Sequence, residues 1–179
     1  MNDMVILLQE KGVLSGATGV PAADNVTRGP KMVLEEFFSG DLTAAGVILG
    51  RFGKVRRSFT AEMHGSWKEQ KGVLRGVLTE SFLFDDDQRL ERGWALVQTG
   101  PESYEATAED VKGTATLATA GNVLRMDYTL EIPLAGHEVT VQVEDWLWHM
   151  REGVVVNKSI MRKWGIRVGE ILTTIFRTA

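Results

Sequence analysis

Cysteine is absent from all 179 residues, which excludes disulfides, thiolate metal sites and a cysteine nucleophile together. Long apolar runs are absent as well. Near the start the longest, Met4 to Leu8, is too short for a membrane span or the apolar part of a secretory signal, and Asp3 and Glu10 flank it where a signal carries basic residues. Neither export nor anchoring is expected, and the cytoplasm is the default compartment. A basic tract is missing too: 20 Lys and Arg against 24 Asp and Glu give −4, with both signs interleaved. Nucleic acid is thereby excluded as a partner, since neutralising phosphates needs a basic face.

The common catalytic signatures are also lacking. No Gly-x-Ser-x-Gly occurs, and Ser58, Ser66, Ser81, Ser103 and Ser159 have no recognisable base partner. Gly50-Arg-Phe-Gly fits neither the P-loop nor the dinucleotide fingerprint. His64, His137 and His149 fall on separate strands without His-x-His or His-Glu-x-x-His spacing, so no metal or haem centre is expected. Asp85-Asp86-Asp87 lacks the spacing and distant glutamate of a calcium loop and reads as a solvated turn. No cofactor is expected, and no internal repeat is evident.

What is present is periodicity. Residues 12 to 30 hold Gly12, Gly16, Gly19, Pro21 and Pro30 with no sustained period, so residues 1–30 read as an extension and 31–179 as one domain, long enough to bury its own core. Over Lys31 to Phe38, Val33, Leu34, Phe37 and Phe38 recur at helical spacing and Gly40 follows, which predicts one short helix. From Asp41 onward apolar residues alternate, broken at Gly50–Gly53, Lys68–Gly72, Asp85–Gln88, Gly100–Ser103, Gly121-Asn122, Pro133–Gly136, Arg151–Gly153 and Trp164–Arg167. Short strands so spaced, about ten of them, form an antiparallel meander that must curl to remove its edges. The fold class is therefore all-β: a lipocalin-like, up-and-down antiparallel barrel with a short N-terminal helix.

Residues i and i+2 of a strand share a face, so a charge alternating in step with apolar residues points inward with them. Arg57 joins Val55, Phe59, Ala61 and Met63; Glu80 joins Leu74, Leu78, Phe82 and Phe84; Arg92 joins Leu90, Trp94 and Leu96. Asp145 joins Val139, Val141, Val143 and Leu147, and Tyr128 joins Leu124, Met126 and Leu130. Inside a barrel an unpaired charge costs several kcal/mol, so these groups must be paired, wet or liganded. The strands of Arg57, Glu80 and Arg92 are consecutive, which suits a shared network. A guanidinium there would hold Glu80, Asp145 or the head group of a bound acyl chain. A network satisfied within itself needs no ligand. Trp146 and Trp148 lie on the face opposite Asp145, either as an exposed patch or, the better reading, under residues 1 to 38.

Several stretches resemble the DUF3833 family of bacterial proteins: Arg51-Phe-Gly-Lys-Val-Arg-Arg-Ser-Phe, His64-Gly-Ser-Trp67, Glu80-Ser-Phe-Leu-Phe-Asp-Asp-Asp87, Glu91-Arg-Gly-Trp94, Tyr104-Glu-Ala-Thr-Ala108 and Asp110-Val-Lys-Gly-Thr-Ala115. Asn122 to Tyr128, Glu144-Asp-Trp-Leu-Trp148, Asn157 to Gly165 and Gly169-Glu170 continue the likeness, which runs in order over residues 34 to 177. The family is of unknown function, and its members are often called lipoproteins or found near lipid-modifying enzymes. The resemblance implies a connection with lipid metabolism and an envelope location, although this chain has no lipobox cysteine and no hydrophobic leader. The family's recurrent polar residues fall here on Arg57, Glu80, Arg92, Asp145, Asn157 and Lys163.

Together these readings favour a binder of a small apolar or amphipathic molecule over an enzyme. The tail would lie among Phe59, Phe82, Trp94, Met126 and Leu130, and the head group near Arg57, Arg92 and Tyr128, with Glu80, Asp145 and Asn157 completing the site. Peripheral membrane contact and a homo-oligomer are both compatible with this. The alternative is a cofactor-free isomerase, hydratase or cyclase acting on a lipid-derived substrate, with Glu80 or Asp145 as general acid or base. A third class is a structural or partner-binding module working through Trp146, Trp148 and the N-terminal segment.

Overall fold

The computed structural model describes residues 22–134 and 137–178; Met4 to Leu8, most of the extension and the centre of the Pro133–Gly136 turn lie outside the described residues. A 3-10 turn (Ala22–Asn25) and a one-turn helix α1 (Leu34–Phe37) precede ten strands. These are β1 (Gly40–Gly50), β2 (Val55–Gln70), β3 (Val73–Phe84), β4 (Arg89–Gly100), β5 (Ser103–Thr107), β6 (Ala115–Ala120), β7 (Val123–Leu134), β8 (His137–Arg151), β9 (Val154–Lys163) and β10 (Ile166–Arg177). Each pairs antiparallel with the next, and β10 returns to β1 with Leu42 opposite Arg177 and Ala44 opposite Ile175. Closure gives every strand a neighbour on each side, which removes the free outer edges of an open meander.

The turns explain the register. Lys71-Gly72 and Trp164-Gly165 each place two successive residues at positive φ, the backbone twist that matches two right-twisted antiparallel strands. Lysine and tryptophan tolerate this because the glycine beside each takes the more open of the two angles, φ 75 and 76 against 52 and 51.

One end of the barrel is plugged. The helix is shorter than the predicted Lys31–Phe38 because the chain before it is held extended: Met32 N–H donates to Gly121 O at 2.8 Å, and Val33 sits at φ −120, ψ 112. Leu34, Phe37 and Phe38 then turn into the barrel end, where the Phe37 ring meets the rings of Phe38 and His149 edge-on. Trp67 Nε1 donates to Phe38 O at 2.9 Å, and Tyr104 Oη donates to Glu35 at 2.9 Å. Gly65 lies directly beneath: a β-carbon there would stand 1.8 Å from Phe38 O, a backbone atom with no room to yield. Gly65→Ala is therefore expected to unseat the plug and lower stability by about 1–3 kcal/mol, an overpacking cost. At about 2–4 °C per kcal/mol for a chain of this size, a thermal melt would show a drop of roughly 2–12 °C.

The barrel wall is not continuous in hydrogen bonding. β5 pairs with β4 only over Ala95–Gly100, and β6 pairs with β7 only over Val123–Asp127. The other halves of β4 and β7 face a gap at the end away from the plug. Residues 108–114 span it as a strap, with Val111 bridging Leu130, Lys112 N–H donating to Thr129 O at 2.9 Å and Glu131 N–H donating to Asp110 O at 2.7 Å.

Candidate functional site

The inward face of the meander encloses one space of about 470 Å³. It runs from Leu34 and Phe38 at the plug to Ile48, Phe84, Leu90 and Ile171 near the opposite end, which we call the mouth. Phe59, Phe82, Trp94, Met126 and Leu130, the residues expected around an apolar tail, all line it. So do Glu80, Arg92, Tyr128, Asp145 and Asn157.

These polar groups come in two sets. On β3 and β4, Glu80 stands directly opposite Arg92, and Trp94 Nε1 donates to Glu80 Oε2 at 3.3 Å. On β7 to β9, Asp145 stands between Met126 and Ser159 in register, with Asn157 next to Ser159 and Tyr128 adjoining. The Trp94 and Tyr128 rings meet edge-on at 5.5 Å and join the two sets across the interior.

Arg92 finds its partner where sequence spacing did not indicate one. Its Nε and Nη2 both donate to Oδ2 of Asp110, at 3.0 and 2.5 Å. Asp110 belongs to the strap, so this pair latches the strap to β4 from inside. The only signal in the sequence was a connection too long for a tight hairpin carrying an acid beside a lone apolar Val111.

The carboxyls of the two sets are strongly perturbed. Burial, opposed mainly by the nearby Arg92 guanidinium and the Trp94 hydrogen bond, lifts Glu80 from 4.5 to about 7. Burial likewise lifts Asp145 from 3.8 to about 6 against the stabilising pull of Ser159, Tyr128, Arg92 and Asn157. Those neighbours do not fully satisfy it, since Asp145 Oδ1 is buried without a hydrogen-bond partner. The part of Glu80 and Asp145 that remains accessible faces the cavity, which is why surface exposure alone would understate how dry they are. Tyr128 is held well above 10 by burial and by Asp145, so it is a neutral donor at any ordinary pH.

Arg57 departs from expectation. It shares the face of Phe59 and Ala61, but it lies at the mouth end of β2, opposite Ile48 and just short of the bulge between Ile48 and Leu49 in the β1–β2 register. There it stacks over Phe84 at 3.8 Å and pairs with Asp86 at 2.5 Å, so it belongs to the rim and is not joined to Glu80 and Arg92. The Asp85–Asp87 turn is thus partly spoken for, with Asp85 also accepting from Ser58. Ser159 was missed, although Val155, Asn157, Ser159 and Met161 alternate on one face and would have shown it.

The remaining sequence-flagged groups lie elsewhere. Trp148 Nε1 donates to Asn25 O at 3.2 Å and stacks on Trp146, which is buried with the Arg125 guanidinium over its ring and its Nε1 donating to Glu144, so neither ring stands free. Residues Asn25 and Thr27 are bonded to the barrel through Trp148 and Asn122. His64 pairs with Asp41 at 2.6 Å on the surface, and His149 is buried against Lys31 O. Lys163 sits at the mouth over the Trp164 ring.

Comparison with known proteins adds the following. A family model described as a protein of unknown function, DUF3833, matches residues 12–177, further toward the N-terminus than the resembling stretches reach. A solved structure of an S-type phycobiliprotein lyase from Guillardia theta matches with a TM-score of 0.58 and 11% identity, covering 83% of this chain and 94% of that one. At that identity the likeness shows the lipocalin-like barrel fold alone. No curated protein matches the chain.

Proposed function

The chain belongs to the DUF3833 family, and from the furnishing of its barrel we propose that it binds and carries one small, largely apolar molecule with a polar end. The observation that supports this is a space of about 470 Å³, apolar along most of its wall, into which Glu80, Arg92, Tyr128, Asp145, Asn157 and Ser159 converge. That volume falls within the roughly 300–1,000 Å³ of small-molecule sites. Each methylene taken out of water by such a wall contributes about 0.8 kcal/mol, so an acyl chain or similar lipid-like tail suits it and ties the protein to lipid metabolism.

Charge narrows the polar end. Arg92 is committed to Asp110 and Arg57 to Asp86, and Glu80 and Asp145 already resist ionising. A carboxylate head group would add a further negative charge, and Arg92, the one cation among the described residues that line the cavity, is already paired. An uncharged end, a hydroxyl, carbonyl or amide, fits: Tyr128 and the protonated carboxyls can donate to it or accept from it. The arginine-held head group expected from the sequence gives way to a neutral one.

Displacement of the neutral fluorophore N-phenyl-1-naphthylamine tests the reading. A long-chain alcohol should displace it at least tenfold better than the matching fatty acid at pH 8, with the gap narrowing at pH 5, where Glu80 and Asp145 hold their protons. Leu78→Trp, which fills the cavity, should abolish uptake while the melt stays cooperative. A barrel that takes up neither probe nor alcohol, or a filled variant that binds undiminished, would sink the proposal.

The raised carboxyls favour a second reading, a cofactor-free proton-transfer enzyme. Two acids near neutrality beside an arginine are the equipment for moving a proton within a lipid-derived substrate. Incubating ligand extracted from the purified protein in D2O with fresh protein would show it as a gain of deuterium, lost in Glu80→Gln or Asp145→Asn. Unlabelled ligand after many hours would leave carriage alone.

A further inference from the structure

Two turns at the mouth carry aromatic rings that the fold does not use. Phe52, in the β1–β2 turn, is 88% exposed, and Trp164, in the β9–β10 turn, is 84% exposed. The turns are neighbours because β1 pairs with both β2 and β10, and Arg167 Nη2 reaches Arg51 O at 3.5 Å between them. Val55 and Ile166 beside them are about half exposed as well, at 53% and 50%.

Trp164 is the more telling of the two. It sits at φ 51, a backbone conformation rare for a bulky residue and one where Asn or Gly is the ordinary choice. The ring makes no buried contact that would offset this, so folding alone gives no reason for a tryptophan at that position.

The surroundings are cationic. Residues 51–56 and 163–167 hold five basic side chains and no acidic one, in a chain whose net charge is −4. Lys163 Nζ lies 4.6 Å from the Trp164 ring centre and the Arg51 guanidinium 5.5 Å from that of Phe52. Glu170 draws on Arg167, at 2.9 Å, and on Lys158, leaving Arg51, Lys54, Arg56 and Lys163 to present their charge outward. Next along the rim, bonded to β2 through Ser58, the Asp85–Asp87 turn is acidic, with Asp86 held by Arg57. The mouth therefore has a basic aromatic side and an acidic side.

We propose that the Phe52 and Trp164 turns dock the barrel mouth, tilted, onto an anionic lipid surface. A protein partner of ordinary size meets a broad patch of about 800 Å² per side, with its charges depleted at the centre. Here two single rings project from turn tips with cations at their bases, the arrangement that seats rings at the acyl boundary and ammonium and guanidinium groups among anionic head groups. Docked this way, the cavity would open toward the bilayer. The inference stands on the mouth turns alone, and its failure leaves the cavity reading intact.

Sedimentation of the full chain with vesicles tests it. Vesicles of phosphatidylcholine with one quarter phosphatidylglycerol should bind at least tenfold better than pure phosphatidylcholine, and 0.5 M salt should release them. Phe52→Ser with Trp164→Ser should cut binding about tenfold or more, and Lys54→Gln with Lys163→Gln by ten- to thirtyfold, each cation contributing about fivefold. All four side chains are exposed or at the rim, so an unchanged melt verifies folding. Trp164→Phe should keep binding but lose the part of the fluorescence that brominated lipid quenches. Equal binding to both vesicle types, or variants that bind undiminished, would overturn the proposal. So would loss of self-association in vesicle-free sedimentation with no change in vesicle binding, which would assign these turns to a protein contact.

Discussion

Glu80→Gln should stabilise this protein at pH 8 by about 2–3 kcal/mol and leave it nearly unchanged at pH 4. Glu80 binds its proton far more tightly folded, with a pKa of about 7, than unfolded, at 4.5. A group raised in this way contributes stability that is fully present below the unfolded value and is lost as pH rises through the folded one. The interval between 4.5 and about 7 corresponds to about 3.5 kcal/mol at roughly 1.4 kcal/mol per pH unit, an upper limit that solvent reaching the cavity lowers to about 2–3 kcal/mol. Glutamine reproduces the protonated acid: its carbonyl still accepts from Trp94 Nε1, and it has no charge to lose. Asp145, lifted from 3.8 to about 6, adds a loss of the same sign between those values. Urea unfolding at pH 4, 6 and 8 should therefore show the wild type weakening steadily, and Glu80→Gln retaining only the part that ends near pH 6. Equal destabilisation of the variant at every pH would mean that Glu80 is an ionised structural partner of Arg92, contrary to its burial.

Removing either partner of the Arg92–Asp110 latch should weaken the barrel, and unequally. Arg92→Met leaves the Asp110 carboxylate facing a dry interior with Oδ1 already unpaired. Breaking such a pair costs about 3–5 kcal/mol when it is fully buried. Asp110 is about one-third exposed, at 32%, so the lower end, about 3 kcal/mol, is expected. Asp110→Asn should cost only about 1–2 kcal/mol, because Arg92 stands opposite Glu80 and can turn to it. The same change should draw the Glu80 pKa downward, an effect visible in its carboxyl NMR shift. A double variant should recover part of the loss, since the unpaired carboxylate is gone. Hydrogen exchange supplies a second readout: the amides of Lys112 and Glu131, which hold the strap to β7, should lose protection in Arg92→Met before the β7–β8 ladder does. Equal losses from the two single variants, with the strap still protected, would show that the pair is not a latch.

Alternation carried a great deal of the architecture. Eight breaks in the pattern, from Gly50–Gly53 to Trp164–Arg167, anticipated eight of the nine connections between the ten strands, and hairpins that short leave a strand no neighbour but its predecessor; the ninth, residues 108–114, is the strap and carries no tight-turn signal. The same parity placed Glu80, Arg92, Tyr128 and Asp145 inside, because a side chain's face depends only on its position along its own strand. What failed was depth. Arg57 has the right parity, yet its place at the strand end brings it to the rim, and parity cannot measure distance along the barrel axis.

The sequence by itself thus determined the class of fold, the closure of the sheet and which ionisable groups face inward, since all three follow from local periodicity and turn chemistry. Only the tertiary structure decided how those groups are paired, that Asp110 and not Glu80 or Asp145 takes the Arg92 guanidinium, and that the interior holds a space instead of a solid core. Pairing and volume arise where strands far apart in the chain converge, and nothing in a two-residue repeat encodes the distance between them.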